Sequence, residues 1–456
     1  AKRDLAAFGA ALRFDDLPAE VIERIKLCLL DSIGCCLFGM TLPWTQRILD
    51  MVKSEGATPV ASVFGSAYRT SVSQAVLVNG TAGHAFELDD IHKESIIHPG
   101  SLALPVVAAL AESRGAVSGK QFIEGLVAGY EIGTRVGNAA TMSLFFRGFH
   151  PQGTSGAFVA AASAARMLNL NALQFQHALG IVGSQAGGLM AAQEGAMVKR
   201  FHSGRAAQSG VYAALLAQRG FTGITDVLEA PYGGYLSSLS DKPNAKRLTE
   251  GLGTVWETAL VGYKPHASVT SIHSALDALA EIMTANNLQA TDIASVEAGL
   301  SHMTHVHCAW KYEAQGVTAA QMNLSYGLAA IAVDGVAFVE QFKEERLRDP
   351  RLLDFIAKVS AQVDAEIEAK GPAFRHAARL KVSTRDGRVF EKVNLNRRGS
   401  PENPLSPEDV LHKFRNVARP CLSAAKIDTV IGLCARLDKL KNVEELLAIL
   451  SASDIT

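Results

Sequence analysis

The sequence predicts a mostly α protein, with a large all-helical domain and a smaller α+β domain. Three observations carry this expectation. Long stretches before residue 265 repeat apolar residues at helical spacing, with Ala and Gly crowded on the same faces. After Lys264 the pattern changes, and runs of strand-like alternation enter. At Arg379 to Asn396, RLKVSTRDGRVFEKVNLN, two alternating runs flank Asp386-Gly387, a strong hairpin signal. The expected division is 1-265 with 405-456 in the helical domain and 266-404 in the α+β domain. At 456 residues the chain is too long for one ordinary core, which agrees with two domains.

Asp15 to Met40 opens the chain with Ala, Leu, Ile and Val at helical spacing, and Pro18 sits where a first turn tolerates it. Gly34 and the paired Cys35 and Cys36 would let another helix come close. Residues 43–54 and 71–86 read as the next helices. Leu102 to Ser113 and Gly119 to Asn138 follow, the second rich in Gly and Ala. Gly156 begins an Ala-rich helix within Phe149 to Leu170, and Leu173 to Gln193 and Ala206 to Arg219 repeat the style. Each interior Gly costs a helix about 1 kcal/mol, so their number points to closely packed helix crossings. Ser268 to Asn286 reads as one more helix. Ile293 to His307 and Val359 to Val363 carry strand-like alternation, with helices expected at Asn323 to Val333 and Val339 to Arg346. Pro401, Pro404 and Pro407 mark a connection, and Ser406-Pro407-Glu408-Asp409 is a good start for a helical tail over 407–451.

Composition narrows the function. Hydrophobic residues make up 48% and charged residues 20%, as in a globular chain, and the net charge of −1 offers no basic excess for nucleic acid. Six cysteines sit mostly in apolar helical patterns without a C-x-x-C pair, which reads as buried thiols in a reducing compartment. The first residues lack the apolar core of a signal peptide, and no run of eighteen apolar residues occurs. A cytoplasmic location without membrane contact is therefore expected. No phosphate cradle stands out: GIVGSQAGGLM lacks G-K-S/T, GLGTVW lacks a third glycine, and no G-x-S-x-G elbow occurs.

Titratable residues concentrate at Asn79 to Pro105, NGTAGHAFELDDIHKESIIHPGSLALP. His84, His92 and His98 stand there with Glu87, Asp89, Asp90 and Glu94. Such density suits proton transfer, where acids and bases converge on one substrate atom; the alternative is a solvated loop. In RGFHPQGTSG, His150 precedes a Gly-rich helix start, whose N–H groups bind anions. The alternative is a capping loop with a surface histidine. In VKRFHSG, Lys199, Arg200 and His202 interrupt a small-residue region, and buried cations need a partner such as a substrate carboxylate. A solvated basic turn would also explain them. Lys264 and His266, in GYKPHASVTSIH, fall at the expected domain boundary, where clefts bind ligands. Tyr326 in NLSYGLAA puts one polar tip on an apolar helix, a pattern more typical of a core tyrosine. His302, His305, His307 and Cys308 offer zinc-type donors, with His305 and His307 sharing a face if the segment is a strand. A substrate-facing or structural role is the expectation there, and no metal or organic cofactor is assigned.

In order and spacing, NGTAGHAFELDD with HPG, GFHPQGTSG, VKRFHSGRAAQSG, YKP with a later His, and SYGLAA resemble the MmgE/PrpD family along nearly the whole chain. That family includes 2-methylcitrate dehydratase, cis-aconitate decarboxylase and iminodisuccinate epimerase. The resemblance implies a helical domain built from both chain ends, a site between the two domains, and a homodimer. It further implies catalytic roles for His98, His150, Lys199, Lys264 and Tyr326, with Glu87, Asp90, Arg200 and His266 binding substrate. Glu87 falls where the decarboxylases carry an aspartate. Ile91 replaces a threonine of the dehydratases and decarboxylases, and His98-Pro99-Gly100-Ser101 replaces the dehydratase text H-P-S-D-N. These departures place epimerisation of a small di- or tricarboxylate first. Dehydration or decarboxylation is the alternative, and a non-catalytic acid-binding scaffold is the rival of another class. The expected chemistry is proton abstraction at a carbon next to a carboxylate, the first step of epimerisation and of dehydration alike.

Overall fold

A computed structural model describes residues 1–451. Helix α1, Ala19–Met40, is buried along most of its length. It packs against α2, Val72–Gly83, and α3, Gly100–Arg114. Helix α4, Gly119–Phe146, lies against α5, Gly156–Met167, and both α5 and α2 pack on α6, Val198–Gln218. The small residues are used at these crossings. A side chain on Gly80 of α2 would stand 3.0 Å from the Cα of Gly204 on α6, so only two glycines allow this approach. The C-terminal segment returns to this part of the molecule. Helix α9, Pro407–Ala418, lies on α1, where a side chain on Gly34 would meet Val417 at 2.7 Å.

The smaller region is α+β. Strands β1 (Ile293–Leu300), β2 (Val359–Val363), β3 (Ala378–Thr384) and β4 (Val389–Asn394) form one sheet in the order β2-β1-β3-β4. The β1–β2 pair is parallel and the other two are antiparallel. The β3–β4 hairpin turns where the sequence places it, with Gly387 at φ 87°. Helix α7, His273–Ala285, covers β3 and β4, and α8, Leu324–Asp334, packs on α7. One large cluster of buried apolar side chains draws on residues 5–263 and 405–450. A second draws on residues 267–382, joined by Cys35, Phe38, Phe86, Leu88 and Val417. All six cysteines are free and buried. Among the described residues no single helix is long and apolar enough to cross a membrane.

Several local expectations need correction. Val339 to Arg346 is two 3₁₀ turns, because Lys343 is extended and splits the run. The helix expected over 173–193 ends at Val182, and glycines at 183, 187 and 188 lead into turns. The helix expected from Ser268 starts at His273, after a 3₁₀ turn at Thr270–Ile272. Helix α6 starts at Val198 rather than Ala206, so Lys199 and Arg200 lie in its first turn and not in a solvated basic turn. The strand-like run from Ile293 stops at Leu300. Ser301 caps a helix, His302–Cys308, so His305 and His307 do not share a strand face.

Candidate active site

One cleft is lined from both parts of the fold. Glu87, Ile91, His98, His150 and Lys199 line it from the helical side. Lys264, Ser271, Met303, Cys308, Arg375 and Arg397 line it from the other. The segment after α2 enters it through a short antiparallel pair, Ile91–His92 with Val261–Gly262, which sets the Glu87 loop beside Lys264. The all-helical expectation did not include this pair.

Glu87 is the centre of the charge arrangement. Its backbone takes φ 55°, a left-handed conformation uncommon for a side-chain-bearing residue. Its carboxylate receives Lys199 Nζ, Arg200 Nη1 at 2.6 Å and Lys264 Nζ at 2.9 Å, and all four groups are buried. Burial alone would raise the Glu87 pKa, but Lys199, Lys264 and Arg200 hold it well below the usual carboxylate range. For Lys199, burial and the neighbouring Arg200 and Lys264 outweigh Glu87 and bring the ammonium down to about 8. Arg200 stands behind the cleft and ties its two sides, since Nη2 donates to Gln321 Oε1 at 3.2 Å. Gln321 Nε2 donates in turn to the carbonyls of Phe86 and Ala267.

His98 is held in one tautomer. Its Nδ1 lies 2.8 Å from the carbonyl oxygen of Asp90, which can only accept, so Nδ1 carries the proton and Nε2 keeps its lone pair. Gln152 clamps the His98 backbone from both sides, accepting from its N–H at 2.9 Å and donating to its carbonyl at 3.1 Å. Burial pushes the His98 pKa down to about 3, with Lys264 and His84 adding to the shift. His150 Nδ1 meets His202 Nδ1 at 2.9 Å. Burial, then Lys199 and the neighbouring histidines, hold His150 well below the usual range. The rings of His98, His84, His150 and His202 follow one another with centroids 4.8, 5.8 and 5.1 Å apart.

Donor atoms of His84, Asp89 and His98 lie within 4.8 Å of one another. Asp89 accepts from His84 Nδ1 at 2.8 Å, and the His98 Nδ1 proton is committed to a carbonyl. The trio therefore reads as a hydrogen-bonded group that orients two imidazoles. Of the His302 group, His307 and Cys308 reach the cleft, while His302 is exposed at the start of its helix.

The cleft thus gathers Glu87, His98, His150, Lys199 and Lys264, with Arg200 directly behind. Three further expected site residues stand elsewhere. Asp90 accepts from the Tyr130 hydroxyl at 2.6 Å and from the Gly100 N–H at 3.0 Å. Burial lifts its pKa to about 8, and it braces the His98 loop rather than facing the cleft. A side chain on Gly100 would overlap Ser32 and crowd the Asp90 carboxyl, which explains glycine after His98-Pro99. His266 Nε2 pairs with Asp277 at 2.8 Å, away from the lining. Tyr326 is fully buried and donates to the Gln341 carbonyl at 2.7 Å, wedged between Tyr312 and Phe342. The sequence reading passed over Arg375, His376 and Arg397, whose only signal is the basic pairs His-flanked at 375–376 and doubled at 397–398.

Comparison with known proteins adds three findings. Family models for the MmgE/PrpD N-terminal and C-terminal domains match residues 3–247 and 266–437. A cis-aconitate decarboxylase-like protein of Aspergillus oryzae is 32% identical, over 98% of this chain and 96% of its own. A cis-aconitate decarboxylase of Aspergillus terreus is 30% identical over 98% and 95%, and the human one 26% over 96% and 92%.

Proposed function

Because the chain belongs to the MmgE/PrpD family of enzymes, we propose that it decarboxylates a small unsaturated tricarboxylate of the cis-aconitate type. The observation that carries this reading is the excess of buried cations in the cleft. Lys199, Arg200 and Lys264 surround one carboxylate, Glu87, and leave positive charge for a polyanionic substrate. The relatives named above favour decarboxylation over the epimerisation that the sequence reading placed first.

The reaction follows from charge and proton placement. In cis-aconitate the CH₂–carboxylate bond breaks, and its electron pair forms a new terminal C=C bond as CO₂ leaves. The original π pair moves to the outer vinyl carbon, whose own carboxylate takes up the charge. Lys199 and Lys264 stabilise that aci-carboxylate-like state. A proton must then reach the vinyl carbon, giving methylenesuccinate. His150 supplies it from Nε2 while its Nδ1 takes a proton from His202 Nδ1, so the imidazole stays neutral throughout. Half-buried His202 is the link towards solvent, taking a proton from water at Nε2 as it gives up the one on Nδ1. Also on the helical side of the cleft, His98 presents a lone pair, which suits it to accept a hydrogen bond from a substrate or lysine donor.

Epimerisation is the second reading, and Ile91 favours it, because an apolar side chain lines the cleft where the resemblance leads one to expect a hydroxyl. There His98 Nε2 would remove an α-proton and His150 would return one to the other face. Incubation with cis-aconitate in deuterated water separates the two. Release of CO₂ with one deuterium in the new methylene of methylenesuccinate supports decarboxylation. Intact cis-aconitate, together with deuterium entering an α-carbon of iminodisuccinate with inversion, would establish the epimerase instead.

A further inference from the structure

The cleft has a second cationic pole that the reaction above leaves unused. Arg375 and Arg397 line it and are 5% and 2% exposed. Arg397 Nη1 donates to the Tyr263 carbonyl at 3.0 Å, but its Nε and Nη2 have no partner. Among the described residues no carboxylate forms an ion pair with Arg397. Arg375 donates to the Pro372 and Lys93 carbonyls, and its Nε is also unpartnered. Its one ion-pair partner among the described residues, Glu94, is 3.7 Å away and exposed, and the Glu402 carboxylate also acts on it. Between them His376 leaves Nδ1 without a partner. Burying guanidinium donors without acceptors is costly, and a ligand that supplies acceptors removes that cost. Glu87 is the sole carboxylate among the described lining residues and already has three cations.

From this we infer that Arg375, His376 and Arg397 form a second carboxylate subsite, which holds a carboxylate of the substrate away from the reacting carbon. The inference rests on the polycarboxylate reading given above and extends it to further residues of the cleft lining. Planar guanidinium groups suit such a ligand, because they grip a carboxylate through two parallel bonds. Burial lowers both arginines, opposed by Glu94 and Glu402 at Arg375 and by Asp277 and Glu402 at Arg397; with Arg375 adding to the shift, Arg397 comes down to about 10, and both remain charged near neutrality. Burial, Arg375, Arg397 and Lys93 hold His376 well below its usual range, leaving it a neutral donor or acceptor within a positive field. The spacing of the two poles is fixed by backbone. Tyr263 N–H donates to the Gly399 carbonyl at 2.9 Å, and Arg397 returns a bond to the Tyr263 carbonyl. Side chains on Gly262 or Gly399 would overlap the facing carbonyls, so this close pairing sets Lys264 and Arg397 in register. A substrate bridging the poles is oriented before it reacts, which is where specificity for a polycarboxylate arises.

The test is titration calorimetry with propane-1,2,3-tricarboxylate, a saturated probe that cannot undergo the reaction. Wild type, Arg397→Gln, Arg375→Gln, Arg397→Lys and the exposed control Arg351→Gln are compared at low salt, with thermal unfolding as the fold check. We expect Kd to rise at least tenfold in both Gln variants, to rise less in Arg397→Lys, and to stay unchanged in Arg351→Gln. With a reacting substrate the same Gln variants raise KM and leave kcat within threefold. Affinities within threefold of wild type in folded Arg397→Gln and Arg375→Gln overturn the subsite, as does a wild type that does not bind the probe. A wild type that binds the probe and releases no CO₂ from cis-aconitate sinks the decarboxylase reading alone. Intact turnover with unaltered probe affinity in the variants sinks the subsite alone.

Discussion

His150 and His202 share a hydrogen bond between their Nδ1 atoms, 2.9 Å apart, although both histidines are held below their usual pKa. Two neutral imidazoles can make that bond only if one carries its proton on Nδ1 and the other on Nε2. A proton leaving one ring can therefore be replaced from the other without forming a buried imidazolium. His150→Gln should lower kcat by at least about 100-fold, the usual scale for a lost proton donor. His202→Phe should lower it less, while adding a larger solvent deuterium isotope effect. Steady-state kinetics in H₂O and D₂O check both. Unchanged kcat in His150→Gln would remove it from the reaction.

Glu87 answers three buried cations, so its charge matters more to the fold than its place in a loop suggests. Replacing it with Gln leaves Lys199, Arg200 and Lys264 facing one another. Breaking a buried ion pair in this way costs about 3–5 kcal/mol. Glu87→Gln should therefore lower the thermal midpoint clearly, and added tricarboxylate should restore part of the loss by binding the same cations. Differential scanning calorimetry with and without the ligand reads this directly. A midpoint equal to wild type would mean that the three cations are compensated by other groups.

Much of this site was legible because its chemistry is local in sequence. His84 to His98 fall in one loop, Lys199 and Arg200 in one helical turn, and Lys264 beside a change of pattern. What could not be read was direction. The pattern around Tyr326 reads as a core tyrosine while the resemblance puts it in the site, and α8 turns its hydroxyl towards the Gln341 carbonyl. Asp90 reads as a ligand-binding acid beside Asp89, but the Tyr130 hydroxyl and Gly100 N–H claim its oxygens. Arg375 and Arg397 carry no local pattern. They meet only because β3 and β4 bring the segments before and after the hairpin to one side of the sheet. The helical packing was visible in the Ala and Gly faces, whereas the short Ile91–Gly262 pairing depends on a contact across 170 residues that no periodicity signals.

Acid should destabilise the protein before it alters the chemistry of the histidines. His84, His98, His150, His273 and His376 are all held below the ordinary 6.5, by burial first. Below pH 6.5 the unfolded chain takes up protons that the folded chain refuses. Each group then removes about 1.4 kcal/mol per pH unit until its folded value is reached. Asp90, Asp31 and Glu131 act in the opposite sense, since burial raises them and the folded state binds their protons first. With His202 and His307, which burial also lowers, seven histidines outnumber three carboxyls, so stability should fall from pH 6.5 towards pH 5. Urea unfolding at pH 7.5 and 5.5 checks the sign. On the alkaline side, activity should decline above about pH 8 as Lys199 loses its proton and its charge. A rate profile flat to pH 9.5 would take that ammonium out of the reaction.

Tyr326 separates what resemblance implies from what packing allows. Its ring is enclosed by Tyr312 and Phe342, and its hydroxyl is used by the Gln341 carbonyl within the same part of the fold. Removing the hydroxyl leaves a buried carbonyl without that donor, which costs about 1–3 kcal/mol. Tyr326→Phe should therefore lower stability while leaving kcat and KM within threefold of wild type. Paired measurement of unfolding and turnover makes the distinction, because a hydroxyl acting on substrate has the opposite profile. A kcat loss near 100-fold at unchanged stability would mean that Tyr326 swings to the cleft during turnover. The proton route through His150 and His202 would then have to share its role with this residue.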